Sequence, residues 1–239
     1  MIVLYGGGPN FGLPEISPYV TKTEVQLKMA GLKYRKARAN PKESPKGQLP
    51  FIDDGDERVA DSTFIRAYIE RKYRIDLDKA LDSRERAEAW AIERMVENHF
   101  SFAVGYTRFC LPENFAKGPA HFVDYAPEGQ RESLRRELLT RVKENFLAVG
   151  VLRHTADEIE SLGVRSLEAL SMLLGEKPYL MGERPCGTDA VTFAMLAGLM
   201  TPFFDSNLRR QALRYDNLVA YVARMMDAFY PEFSWAEAA

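Results

Sequence analysis

The sequence predicts a small mixed α/β domain followed by an all-helical one. Three observations lead there. The first 76 residues alternate short apolar runs, turn signals and helical stretches. The charged segment "RIDLDKALDSRE" then interrupts the pattern. Beyond it strand signals all but vanish, so the boundary falls near residues 76–83, with an α/β unit over 1–76 and a helical unit over 83–239.

Met1–Tyr5 is apolar enough for a strand, and Pro18–Ala30 reads as a helix closed by Gly31. Lys33–Ala37 is a short strand. Leu49–Asp53 and Glu57–Ala60 flank "DDGD", a turn signal between two strands. In Thr63–Tyr73 the residues Phe64, Ile65, Tyr68 and Ile69 recur at helical spacing. The order β-α-β then β-β-α suits a four-stranded sheet with helices on its faces. In the second unit, Arg84–Ala103 is helical. Leu134, Leu138, Val142 and Phe146 recur every four residues. Thr155-x-x-Glu158 is a capping box, and its helix closes at Gly175. Val191–Met200 is apolar all round, as a central helix is. Asp216 is placed to cap a last helix through Phe229.

Composition narrows the function classes. With 46% hydrophobic and 28% charged residues the chain has the balance of a soluble globular protein. A net charge of −2 gives no basic field for nucleic acid or an anionic membrane. Cys110 and Cys186 form no CxxC, and His99, His121 and His154 form no metal motif, so no metal is expected. No charged n-region leads into an apolar h-region. The longest uncharged run, Ala190–Phe204, is short of the roughly 20 residues a membrane helix needs. A cytoplasmic setting is the expectation.

The stretch "LYGGGPNFGLPEISPYVTK" has the strand, glycine loop and helix order of a phosphate site. It fails both nucleotide fingerprints. A GxGxxG read from Gly6 would put Phe11 at the third glycine, and Gly12 is followed by Leu13 rather than Lys. Pro9, Pro14 and Pro18 also lack N–H groups. Two readings remain: a connector, or a loop that delivers Ser17 to a helix N-terminus. There Ser17 is an ordinary N-cap, which the residue physics favours, or it stands beside a thiolate stabilised by free N–H groups and the helix dipole.

"KGQLPFIDDGDERVADSTFIRAYI" is the second informative stretch. Pro50 begins a strand, where its missing N–H is tolerated. About 5–6% of X-Pro bonds are cis; such a bond at Leu49–Pro50 would turn the Leu49 main chain toward a ligand. Asp61-Ser62 precedes a helix, as caps or as part of a carboxylate site.

Together these pieces resemble the glutathione transferase superfamily, whose N-terminal domain is thioredoxin-like and whose C-terminal domain is a helical bundle. Gln48-Leu49-Pro50 matches its "QLP", and Asp61-Ser62 its acidic-Ser pair, twelve residues from Pro50 to Ser62. Ser17-Pro18-Tyr19 looks like the helix start of the serine- and cysteine-type classes. "KPYLMGERPCGTDAVTFAML" resembles the core helix, with Asp189 as its carboxylate, although Cys186 stands where Ser or Thr is usual. Thr188 would cap a slightly shifted start. Closer still is the failed-axon-connections branch, related to the metaxins, through "SPKGQLPFI", "ADSTFI", "GVLRHTADEI" and "NLVAYVARM".

The resemblance implies a cytoplasmic, homodimeric detoxification enzyme that conjugates glutathione to a small hydrophobic electrophile, or reduces it. Leu49 would hold the cysteinyl main chain, Asp61 and Ser62 the γ-glutamyl end, and Gln48 the glycine end, with Pro50 among the same glutathione-binding residues. Ser17 would favour the thiolate, with Tyr5 as the rival hydroxyl. Tyr106 and Arg108 would border the electrophile pocket, whereas Lys22 reads as solvated. The alternative is a non-catalytic, metaxin-like adaptor for a protein partner. A glutaredoxin-like reductase would need a cysteine where Ser17 stands.

Overall fold

Ile2, Leu4 and Gly6 alternate inward along β1 (Ile2–Gly6), which lies inside a four-stranded sheet of order β2-β1-β3-β4. The computed structural model describes residues 1–235. β1 pairs parallel with β2 (Tyr34–Arg38), and α1 (Pro18–Met29) is the crossover that a parallel pair requires. β3 (Phe51–Asp54) runs antiparallel to β1 and closes a hairpin with β4 (Glu57–Ala60). The two-residue loop between them relies on Gly55, at φ +69°. Helix α2 (Ser62–Tyr73) follows. Ile2, Leu4, Val20, Leu27, Ile52, Ile65 and Ile69 form one buried cluster between the sheet and these helices.

The helical part comprises α3 (Ser83–Met95), a π turn (Val96–Phe100), α4 (Ser101–Phe109), α5 (Pro112–Lys117), α6 (Glu128–Ala148), α7 (Ala156–Leu174), α8 (Gly187–Met200), α9 (Asn207–Ala212) and α10 (Asp216–Phe229). The single helix expected over Arg84–Ala103 is therefore divided by the π turn, a local widening that recurs at functional sites. Every residue of α8 is buried, as its all-round apolar sequence predicts. α8 packs on α1, so the two parts share a core that includes Val25 of the first and Phe193 of the second. α6 is an outer helix. Of its predicted stripe only Phe146 is fully buried.

Polar groups hold the start of α8. The Cys186 N–H donates to Asp189 Oδ2 at 2.8 Å, and Leu180 N–H and the Tyr221 hydroxyl donate to Oδ1, each at 3.0 Å. Helix α8 starts at Gly187, with Cys186 at the N-cap position. Thr188 does not cap: its hydroxyl donates to the Ala89 carbonyl at 3.0 Å. Asp216 is likewise the first residue of α10 rather than its cap, because Tyr215 holds that position. The charged connector is pinned at Asp78, which accepts from Gly187 N–H at 2.8 Å and from Arg66 at 2.5 Å.

Candidate functional site

Between the sheet's end and the helical part lies a cleft of about 680 Å³, within the usual span of small-molecule sites. Ser17, Gln48, Leu49, Pro50, Asp61 and Ser62 all line it. Six of the seven residues that the sequence assigns to the thiol and to glutathione therefore come together, from three separate segments.

Tyr5 does not join them. Its ring stacks on Phe51, with centroids 4.2 Å apart, and its hydroxyl donates to Asp53 at 2.9 Å. The hydrogen bond to Asp53 and burial both raise its pKa, opposite to what a thiol-activating phenol needs. Tyr106 is also absent from the cleft lining, whereas Arg108 is present.

Ser17 occupies the N-cap position of α1 with extended dihedrals, and its side chain makes no capping bond. Asp61, Asp82, Thr155 and Ser206 each accept a main-chain N–H at their own helix starts. Among the described residues the Ser17 hydroxyl is thus uncommitted, beside the first-turn N–H groups of Tyr19 and Val20, which have no intrahelical acceptor. Negative charge is stabilised at such a place.

The glycine loop explains how Ser17 is held. Glu15, with none of its side chain exposed, accepts N–H bonds from Gly7 at 3.1 Å, Gly8 at 3.0 Å and Ser17 at 3.3 Å. The loop does cradle an anion, and the anion is its own carboxylate. A Cβ on Gly6 would lie 2.8 Å from Glu15 Oε2 and 2.7 Å from Val20 Cγ1, so only glycine lets the loop close around it. Burial raises the Glu15 pKa, against the pull of Lys36 and the three N–H groups. Further along, Phe11 at φ +56° enters the helical part. Its ring meets Phe203 at 4.9 Å and Phe204 at 5.0 Å, and its carbonyl accepts from the Thr201 hydroxyl at 2.6 Å.

On the facing wall the Leu49–Pro50 bond is cis. Neither the N–H nor the C=O of Leu49 is hydrogen-bonded to the described residues. Asp61 caps α2 through Thr63 N–H at 2.9 Å while its own backbone stands at φ +82°. That region is rare for a residue with a side chain and clusters at ligand sites. Ser62 follows, buried at the first turn of α2.

Residues the sequence did not flag complete the cleft: Lys46, Arg94, Glu97, Asn98 and Ser101. Lys46 lies two residues before Gln48, and its ammonium stands over the Phe64 ring at 3.9 Å. Lys22, read as solvated, is wholly buried. It donates to Glu93 at 2.7 Å and Glu97 at 2.6 Å, tying α1 to α3 and the π turn. Its carboxylate partners lie more than seventy residues away, beyond the reach of local pattern. Among the described residues there is no three-residue group fit to hold a metal, and no helix long and apolar enough to cross a membrane.

The arrangement has a counterpart among known proteins. A family model described as "Glutathione S-transferase N-terminal domain" matches residues 18–114, and one described as "Glutathione S-transferase, C-terminal domain" matches residues 163–225. The chain belongs to the glutathione S-transferase family. Its fold is that of this family, a thioredoxin-like α/β domain followed by a helical one. It is 31% identical to Failed axon connections of Drosophila melanogaster, over 98% of this chain and 59% of that protein, so it spans under two thirds of that relative. It is 27% identical to isoprene-epoxide–glutathione S-transferase of Rhodococcus sp. (strain AD45), over 82% and 85% of the two chains. Metaxin-2 of Mus musculus is 27% identical, over 80% and 73%. Among solved structures, beta-etherase LigF from Sphingobium sp. strain SYK-6 superposes with a TM-score of 0.69 at 18% identity, covering 97% of this chain and 99% of that one.

Proposed function

We propose that the protein is a glutathione transferase that binds glutathione in this cleft and conjugates it to a small apolar electrophile. The observation that carries the reading is the uncommitted Ser17 hydroxyl at the N-terminus of α1. The unpaired main chain of Leu49 offers the cysteinyl residue of the tripeptide a strand-like partner. The N-terminus of α2, at Asp61 and Ser62, suits the γ-glutamyl group. Lys46 and Gln48 stand at the end where the glycine carboxylate would lie.

Ser17 donates its hydroxyl hydrogen to the sulfur, and with the α1 dipole it favours thiolate over thiol. The sulfur then attacks an electrophilic carbon. For an epoxide a C–S bond forms, the C–O bond breaks, and the alkoxide takes a proton from water. An epoxide is the first electrophile to try, because the Rhodococcus relative is named for one.

The test is titration with glutathione, then turnover of wild type and Ser17→Ala. The expected result is retained binding with conjugation lowered about 10- to 100-fold, the worth of one hydrogen bond to a charged group. Unchanged turnover would remove Ser17 from the mechanism. The metaxin likeness favours a second reading, a non-catalytic adaptor for a protein partner. Absence of glutathione binding at millimolar concentration would establish it over the first.

A further inference from the structure

Arg108 is a buried cation in the wall of the cleft. Lys22 pairs with Glu93 and Glu97, and Arg66 with Asp78; Arg209, without an ion pair among the described residues, donates to the Met200 and Thr201 carbonyls and does not line the cleft. Arg108 is 7% exposed, and among the described residues no carboxylate lies within ion-pair distance of it. Its guanidinium donates to two main-chain carbonyls only, Ile16 at 2.9 Å and Gly198 at 3.3 Å. Phe11 and Phe204 flank it, with ring centroids at 5.8 Å and 5.1 Å. Burial pushes its pKa down to about 10, which still leaves it charged at neutral pH.

A buried charge without a counter-charge is costly, and a ligand carboxylate beside it would offset that cost. A guanidinium has five N–H groups, so two carbonyls do not exhaust it. Arg108 lines the cleft, and it does so on the helical side. On the proposed reading of the site the carboxylates of glutathione are met elsewhere, by the N-terminus of α2 and by Lys46. Phe102, Phe109, Phe122 and Phe146 line the helical side of the cleft with Arg108, beside the polar Asn98, Ser101 and Asn145.

We propose that Arg108 anchors a carboxylate of the second substrate, which is therefore an electrophile with an apolar body of aromatic size and one carboxylate group. The arginine orients the acid and the phenylalanines hold the body, while the electrophilic carbon is presented toward Ser17. For an aryl epoxide the bond changes are those given above, and the carboxylate takes no part in them. The turnover arm of this inference rests on the transferase reading; the carboxylate site does not.

The first measurement is therefore binding without turnover. Isothermal titration with 4-ethylbenzoate and with its methyl ester, on wild type, is expected to show the acid bound about tenfold or more tightly, as a charge-assisted pair gives. Arg108→Leu, with its folding checked by thermal melt, is expected to erase the difference, and Arg108→Lys to keep part of it. Equal affinity for acid and ester on wild type overturns the proposal, and that comparison stands even where Arg108→Leu fails to fold. The second measurement is kcat/KM with glutathione for 4-(oxiran-2-yl)benzoate and its methyl ester. Loss confined to the acid in Arg108→Leu supports the anchor. Equal loss on both substrates overturns it and assigns Arg108 to the thiol or to the fold. Selective acid binding that Arg108→Leu erases, together with no glutathione binding and no conjugation of either epoxide, upholds the anchor while overturning the transferase reading.

Discussion

The Lys22 ammonium lies 2.6 Å from the Glu97 carboxylate, with none of the lysine side chain exposed and only 7% of the glutamate side chain. Glu93 and Arg94 complete the cluster: Arg94 reaches Glu97 at 2.6 Å and Glu93 at 3.0 Å. Lys22→Met would leave two buried carboxylates short of their central cation. The expected loss is about 3–5 kcal/mol, as for other broken buried pairs. Urea unfolding measures it, and the double variant Lys22→Met with Glu97→Gln should recover part of it. A loss under about 1 kcal/mol would mean that the pair is worth no more than a surface one.

Tyr5→Phe separates the two candidate hydroxyls. The phenol is engaged by Asp53 outside the cleft, so glutathione turnover should stay at the wild-type rate. The stability cost should be under about 1 kcal/mol, because Asp53 keeps both bonds from Arg58. A turnover loss like that expected for Ser17→Ala would return the phenol to the mechanism.

Lys22 and Tyr5 also mark how far the sequence could be read. The succession of strands and helices, the buried α8 and the gathering of Gln48 to Ser62 follow from apolar spacing, turn residues and a family pattern. All are local signals. Lys22 reads wrongly as solvated, because a lysine in a helix looks solvent-facing until carboxylates from another part of the chain are packed on it. Tyr5 carried no sign that Asp53, across the β1–β3 pair, would take its hydroxyl. Glu15 is illegible for the same reason: the glycine loop reads as a cradle for a ligand, while the anion it wraps is a carboxylate further along the same loop.

Gln26 offers a stability gain. It is fully buried in α1, and neither its Nε2 nor its Oε1 has a hydrogen-bond partner among the described residues. An unsatisfied buried amide costs about 1–3 kcal/mol, so Gln26→Met, of similar length, should raise stability by about 1 kcal/mol or more. Thermal and urea melts test this. A lowered Tm would show that the amide is satisfied in solution, by an ordered water for example.

Asp54 gives the fold an acid limb. Burial alone would raise its pKa, but hydrogen bonds from Lys72, Tyr73 and Tyr68 outweigh it and hold the value below the ordinary 3.8. The unfolded chain therefore takes up the proton first as pH falls. The stabilisation is complete above the ordinary value and is lost as pH drops through the folded one. Asp54→Asn should lower stability at neutral pH and flatten the decline in acid. Urea midpoints across the acid range measure both, and parallel curves for the two proteins would refute the assignment.

The seat of Phe11 among Phe203 and Phe204, pinned by Thr201, has a consequence for the order in which the protein is made. Thr201 lies 190 residues downstream of the carbonyl it binds. On the ribosome the N-terminal part folds first: β1 and α1 emerge long before their anchor exists. The loop that positions Ser17 is then held at its Glu15 end alone. The cleft is finished only when α8 and the turn beyond it have been synthesised, so a fragment released before residue 201 would carry Ser17 without the full means of placing it.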